Sequence, residues 1–108
     1  MDHDLTGWDI HHGESTEWMP WGGDGATARA KVLGSGDGYL LVLVEAKAGY
    51  TGAAHEHTAA EVSYVIAGTV ETQGVTMQAG DGYVASAGSV HTSFTAVTDA
   101  TYVVAFKL

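Results

Sequence analysis

Residues 39–72 read YLLVLVEAKAGYTGAAHEHTAAEVSYVIAGTVET. Tyr39–Ala46 is an apolar run of strand length with Glu45 near its end, fit for a buried strand. Glu61–Ala67 (EVSYVIA) reads as a second strand, and Gly68 divides it from Thr69–Thr72. Between the first two runs, residues 48–54 form a Gly-containing loop. It delivers two imidazoles, His55 and His57, just ahead of the carboxylate of Glu61.

Working outward, the same texture continues in both directions. Gln73-Gly74 predicts a two-residue hairpin turn into Val75–Gln78. Ala79-Gly80-Asp81-Gly82 predicts a further turn into a strand at 83–86. Strands at 90–97 and 102–107 close the chain. Upstream, 27–33 reads as a strand ended by the GSGDG run at 34–38. Nowhere does a 3.6-residue period with caps appear. With 15 Gly and one Pro in 108 residues, the chain has the makings of many short strands and tight turns. The expected fold class is all-β, a sandwich or barrel in one domain.

Residues 1–26 differ from this body. They carry Trp8, Trp18 and Trp21, the only Pro, three of the six His and six of the 13 acids. They read as an N-terminal arm that packs its tryptophans on a domain spanning 27–108. Each such ring can bury roughly 150–250 Å².

The charge balance narrows the partners. Thirteen acids stand against Arg29, Lys31, Lys47 and Lys107, a formal net charge of −9. A nucleic-acid or anionic-membrane surface needs clustered cations, so neither partner is expected. No apolar run approaches the ~20 residues of a membrane span. Met1-Asp2-His3-Asp4 is acidic where a secretory leader would be basic. The lack of Cys removes disulfides and thiolate chemistry and is compatible with a reducing cytoplasm, the expected location.

The chemistry lies in the HEH stretch. Residues two apart on a strand share a face, so His55 and His57 can aim at one point. Glu61 lies at even spacing from both and can join them. A lone strand His is usually a hydrogen-bonded core or surface residue. Two imidazoles with a carboxylate are instead a facial ligand set with open positions, suited to Fe(II) and able to hold Mn, Ni or Zn. His91 offers a fourth ligand. By alternation Ser93 and Thr95 share its face, and Ser63 and Val65 share that of Glu61, which makes these four the expected pocket wall. His3, His11 and His12 lie in the arm and are not expected to be ligands.

The spacing of these residues resembles the cupin superfamily. Its first motif, G-x5-HxH-x3-4-E-x6-G, is met by Gly49, His55, His57, Glu61 and Gly68. Its second, G-x5-P-x-G-x2-H-x3-N, is met by Gly80, Gly88 and His91, with Ser86 in place of Pro and Thr95 in place of Asn. Neither departure touches a ligand position. The resemblance covers about residues 27–106. It implies a single cupin β-barrel, a double-stranded β-helix of jelly-roll type, with one divalent metal held by His55, His57, Glu61 and His91.

Trp18-Met-Pro-Trp21, then Ala30-Lys31-Val32-Leu33, then Gly49 and HEH, look like the small cupins related to anti-sigma-factor cupin domains. Acetylacetone-cleaving and dihydroxyacetophenone dioxygenases are similar. Glu61 departs from the three-His set of the first of these dioxygenases. An anti-sigma factor would also need a separate sigma-binding domain, typically zinc-bound through Cys, and this 108-residue sequence without Cys is not expected to supply one.

The resemblance implies an Fe(II) dioxygenase acting on a small ketone, enol or phenol, with Glu61 as a candidate base as well as ligand. The alternatives are a non-redox isomerase, cyclase or lyase, and a metal-dependent small-molecule binding or sensing module. It also implies a homodimer, paired through sheet edges or N-terminal strands.

Overall fold

In a computed structural model, residues 3–23 and 25–108 are described. Met1, Asp2 and Asp24 lie outside the described residues, and with them part of the arm and half of the acidic opening tetrapeptide. The strands are β1 Met19–Trp21, β2 Ala28–Gly36, β3 Tyr39–Ala46, β4 His55–Glu56, β5 Glu61–Ala67, β6 Thr69–Thr72, β7 Val75–Gln78, β8 Gly82–Ala85, β9 Val90–His91, β10 Phe94–Ala96 and β11 Ala100–Lys107. One short 3-10 turn, Gly13–Ser15, interrupts the arm. No helix among the described residues is long and apolar enough to cross a membrane.

The strands form a six-stranded sheet, order β1-β2-β3-β11-β5-β8, facing a three-stranded sheet, order β10-β6-β7. β4 and β9 pair beside them. All strand pairs are antiparallel. The all-β, jelly-roll expectation is met as a β-sandwich whose sheets do not join into a closed ring. Alternation then decides what is buried. Val42, Val44, Ala46, Val65, Tyr102 and Val104 point inward from the large sheet, and Val70, Met77 and Ala96 meet them from the small one.

Two turns hold this register. Gln73 (φ 52°) and Gly74 (φ 76°) both take positive φ, as do Asp37 (φ 52°) and Gly38 (φ 82°). That is the geometry of a two-residue hairpin, whose twist matches its strands. Gly68 links β5 to β6 at φ 81°, and a Cβ there would run into the Asp99 carbonyl oxygen. Only glycine lets the chain pass between the sheets at that point.

Four strands differ from their sequence reading, β8 by one residue at each end and β11 by starting at Ala100 rather than at 102; the other two differ more. β2 does not stop at residue 33 but runs to Gly36, because Asp37-Gly38 alone make the turn and the extra residue is absorbed by a register shift between Val32 and Gly34. The expected strand at 90–97 is two strands broken at Thr92-Ser93. The Gln73 side-chain oxygen accepts the backbone N–H of both residues, at 2.6 and 3.1 Å, in place of a ladder.

The arm runs along the large sheet. β1 pairs with the edge of β2, Met19 opposite Ala30. The Trp18 ring lies under the Arg29 guanidinium at 4.1 Å and the Lys31 ammonium at 4.6 Å. Trp21 meets Phe106 edge-on at 5.9 Å. Trp8, by contrast, is 71% exposed.

Candidate metal centre

Three local structures bring the HEH stretch to His91. The β4–β9 pair sets His55 opposite His91. His57 is fixed by its own backbone: its N–H donates to Ser89 O at 2.9 Å, and its carbonyl accepts from Gly88 N at 2.7 Å. Glu61 opens β5 on the inward face. The outcome is a cluster in which one ligand atom from each of His55, His57, Glu61 and His91 lies within 4.8 Å of the others. The imidazole centroids are 4.8, 5.2 and 5.5 Å apart. His57, Glu61 and His91 are buried and His55 is exposed.

Each ring is held by the nitrogen that faces away from the cluster. His55 Nδ1 lies 3.0 Å from the Ala53 carbonyl, His57 Nδ1 3.0 Å from Ser89 Oγ, and His91 Nε2 2.6 Å from Thr72 Oγ1. Such partners fix ring orientation and leave the inner nitrogen free as a lone-pair donor. Ser89 Oγ is itself anchored to the Ser86 carbonyl at 2.6 Å.

The carboxylate is the hub. Glu61 Oε2 lies 3.0 Å from His57 Nε2 and 3.6 Å from His91 Nδ1, and accepts the Tyr83 hydroxyl at 2.9 Å. Burial, reinforced by the Glu61 charge, pushes the Tyr83 phenol well above its usual value. Tyr83 is therefore a donor to Glu61, not an anion. Burial pulls His91 below its ordinary value against the opposing pull of Glu61, which favours the neutral imidazole a metal requires.

His91 Nδ1 is buried with no hydrogen-bond partner. A buried nitrogen left unpaired costs about 1–3 kcal/mol, yet the geometry aims it at the carboxylate. A divalent cation among three nitrogens and one oxygen would satisfy it. The donor set therefore fits such an ion.

The expected pocket wall lies elsewhere. Ser63 is buried but donates its hydroxyl to the Val103 carbonyl at 2.8 Å, and Val65 belongs to the apolar core. Ser93 is exposed, and Thr95 is half-buried and bridges to Thr51. The break at 92–93 shifts the alternation, so the inward residues after His91 are Phe94 and Ala96. Phe94 meets the His91 ring at 6.0 Å.

Two cavities reach the cluster. An inner one of about 260 Å³ is walled by Trp21, Tyr50, Phe94 and Tyr102 and touches His55, Glu61 and His91. An open one of about 810 Å³ reaches His57 and His91 past Thr72, Met77 and Tyr83. The sequence reading missed Tyr83, Thr72 and Ser89. Thr72 stands two residues after Val70 on the inward face of β6, a signal alternation could have supplied. Among the arm histidines, His11 pairs with Asp9 at 3.0 Å on the surface, and neither His3, His11 nor His12 joins the cluster.

Comparison with known proteins agrees with this architecture. No curated protein sequence matches the chain. An RmlC-like cupin from Shewanella frigidimarina superposes with a TM-score of 0.76 at 25% identity, over 91% of this chain and 88% of its own. An acetylacetone dioxygenase from Acinetobacter johnsonii gives 0.79 at 15%, over 99% of this chain and 77% of its own. The Rhodobacter sphaeroides SigE–anti-sigma ChrR complex gives 0.73 at 21%, over 89% of this chain and 51% of the matched one. The model of the ChrR cupin-like domain matches residues 9–107, so the chain belongs to that family of cupins.

Proposed function

We propose that the protein binds one divalent metal ion through His55, His57, Glu61 and His91 and acts as an Fe(II) dioxygenase on a small ketone, enol or phenol. The observation that carries the metal reading is the orientation of the three imidazoles. Each spends one nitrogen on a neighbour, and His57 and His91 turn the other toward Glu61. The likeness in fold to an acetylacetone dioxygenase supports the choice of chemistry.

Bound there, the metal supplies Lewis acidity and a redox couple beside open coordination positions. The chain supplies the rest. The inner cavity holds the substrate among Trp21, Tyr50, Phe94 and Tyr102. An apolar cavity of roughly 150 Å³ accepts benzene, so 260 Å³ suits a single ring or a short diketone with substituents. Glu61 Oε2 takes the proton of the enol or phenol, and the Tyr83 hydroxyl stabilises the carboxylate until then. The aromatic walls limit water around the reacting carbon.

The Tyr83–Glu61 pair also favours a second reading, in which Glu61 shuttles a proton in a non-redox isomerisation or lyase reaction. Oxygen uptake separates the two. Protein loaded anaerobically with Fe(II) is expected to consume oxygen with a panel of diketones and phenols. Turnover without oxygen, supported by Zn or Ni, would replace the dioxygenase by Lewis-acid chemistry. Tight metal binding with no turnover on the panel would leave a binding module.

A further inference from the structure

We infer that the Tyr102 hydroxyl selects among substrates of the inner cavity, by donating to an uncharged oxygen at the end of the molecule away from His55, Glu61 and His91. This selectivity rests on the reading of the inner cavity as the substrate site. It adds a requirement: a second oxygen, remote from the one that meets the metal. Tyr102 faces inward from β11, paired with Val44 on β3 and Val65 on β5. It is only 6% exposed, and the side chains opposite it are apolar, so its cross-strand partners offer the hydroxyl no side-chain acceptor.

The groups that act on the phenol locate its oxygen. The Trp21 indole N–H favours the ionised form as a donor, while Tyr50, Tyr83 and Glu61 each oppose ionisation. All four border the inner cavity, and so does Tyr102. The hydroxyl therefore opens on that hollow. Trp21 uses its oxygen as an acceptor and leaves its proton unspent. Tyr83 gives its proton to Glu61 at 2.9 Å, whereas no described residue accepts that of Tyr102. A buried donor without an acceptor destabilises the unliganded protein. Phenylalanine would fill the same place without that cost, as Phe94 does 5.1 Å away. An oxygen-bearing ligand turns the cost into a contact.

Position gives that ligand its shape. Val65, the partner of Tyr102, stands four residues past Glu61 on β5, roughly 13 Å of strand. The Phe94 ring bridges the two ends, 5.1 Å from the Tyr102 ring and 6.0 Å from that of His91. A molecule that gives one oxygen to the metal cluster can lay its apolar body on Phe94 and bring a second oxygen to Tyr102. That second group is uncharged. Among the described residues no Lys or Arg borders the cavity. A carboxylate or phosphate would lose its water there and find no counter-ion. An ether, ketone or hydroxyl oxygen accepts the phenol proton without that penalty. A short diketone that turns both oxygens to the metal lacks this contact; a phenol with an oxygen across the ring makes it.

4-Methoxyphenol and 4-ethylphenol differ only by an oxygen in place of a methylene at the far end. Calorimetric titration of each into zinc-loaded protein, where the metal has no redox chemistry, gives a ratio of dissociation constants. Tyr102→Phe should move that ratio about fivefold or more toward the ethyl compound. A cavity that is merely loosened changes both constants together, so the ratio reports the hydroxyl. Val104→Ala, at the same cavity, should leave the ratio where it was. If both phenols bind the wild type and Tyr102→Phe leaves their ratio unchanged, the selectivity is overturned and the cavity stands as the substrate site. So is it if Val104→Ala moves the ratio as far as Tyr102→Phe does. If neither phenol binds the wild type, the substrate reading of the cavity falls, and the selectivity with it.

Discussion

At one end of the sandwich interior Val42, Val44, Val65, Val70 and Ala96 are at most 2% exposed and make no polar contact through their side chains. At the other, His57, Glu61 and His91 are 7–9% exposed, and each has a polar partner for its side chain. β5 passes from one regime to the other in three inward steps, Val65, Ser63 and Glu61. The apolar end is stabilised by area removed from water and tolerates apolar swaps that conserve volume. The polar end has lost hydration and must recover it through placed partners. The difference teaches that the two ends should fail differently: one in stability, the other in ligand affinity.

The largest effect should come from removing a ligand. His91→Ala is expected to lower metal affinity by more than about 100-fold, beyond what outer partners supply. Calorimetric titration and metal content measure it, and circular dichroism should show the fold retained. Thr72→Val keeps shape but leaves His91 Nε2 unpartnered, and should cost roughly 10–100-fold in the same titration. The core end gives the reverse pattern. Val44→Ala should lose about 2 kcal/mol in urea unfolding and leave metal affinity where it was. Equal effects of Val44→Ala on both readouts would erase the contrast.

The smallest effect lies at the boundary, where Tyr102 joins the core to the inner cavity. Burial raises its phenol above the ordinary 10.0. A raised folded value means stability present below pH 10 that is lost as pH climbs toward the folded value. Tyr50 is raised in the same direction by the same cause. Alkaline unfolding should therefore begin above about pH 10, and Tyr102→Phe should move its midpoint upward by roughly half a pH unit. A downward shift would show that the hydroxyl matters more as a hydrogen-bond partner than as a titrating group.

The same division explains what could be read from the sequence. β3, β5, β6 and β7 begin and end at the residues their apolar runs and turn signals mark, because both signals are local. The four-residue cluster was legible for a similar reason: HxH and Glu61 lie within seven residues, and the motif spacing supplies His91. The pocket wall was not. Alternation from His91 assumes an unbroken strand, and the break at Thr92-Ser93 is made by a side chain nineteen and twenty residues earlier. Ser89 and Tyr83 depend likewise on pairings across the fold that no local pattern encodes.

That break depends on one residue in an unfavourable backbone state. Gln73 sits at φ 52°, where a side chain costs about 1–2 kcal/mol and glycine or asparagine would sit more easily. Its amide spans both sides of His91. The nitrogen donates to the Val90 carbonyl at 3.2 Å, and the oxygen accepts Thr92 N, Thr92 Oγ1 and Ser93 N. Gln73→Gly would relax the hairpin while freeing the segment that carries His91. The position is thus under two opposed demands, and a protein selected only for thermal robustness would be expected to give up the glutamine first, gaining a calmer turn and a looser imidazole.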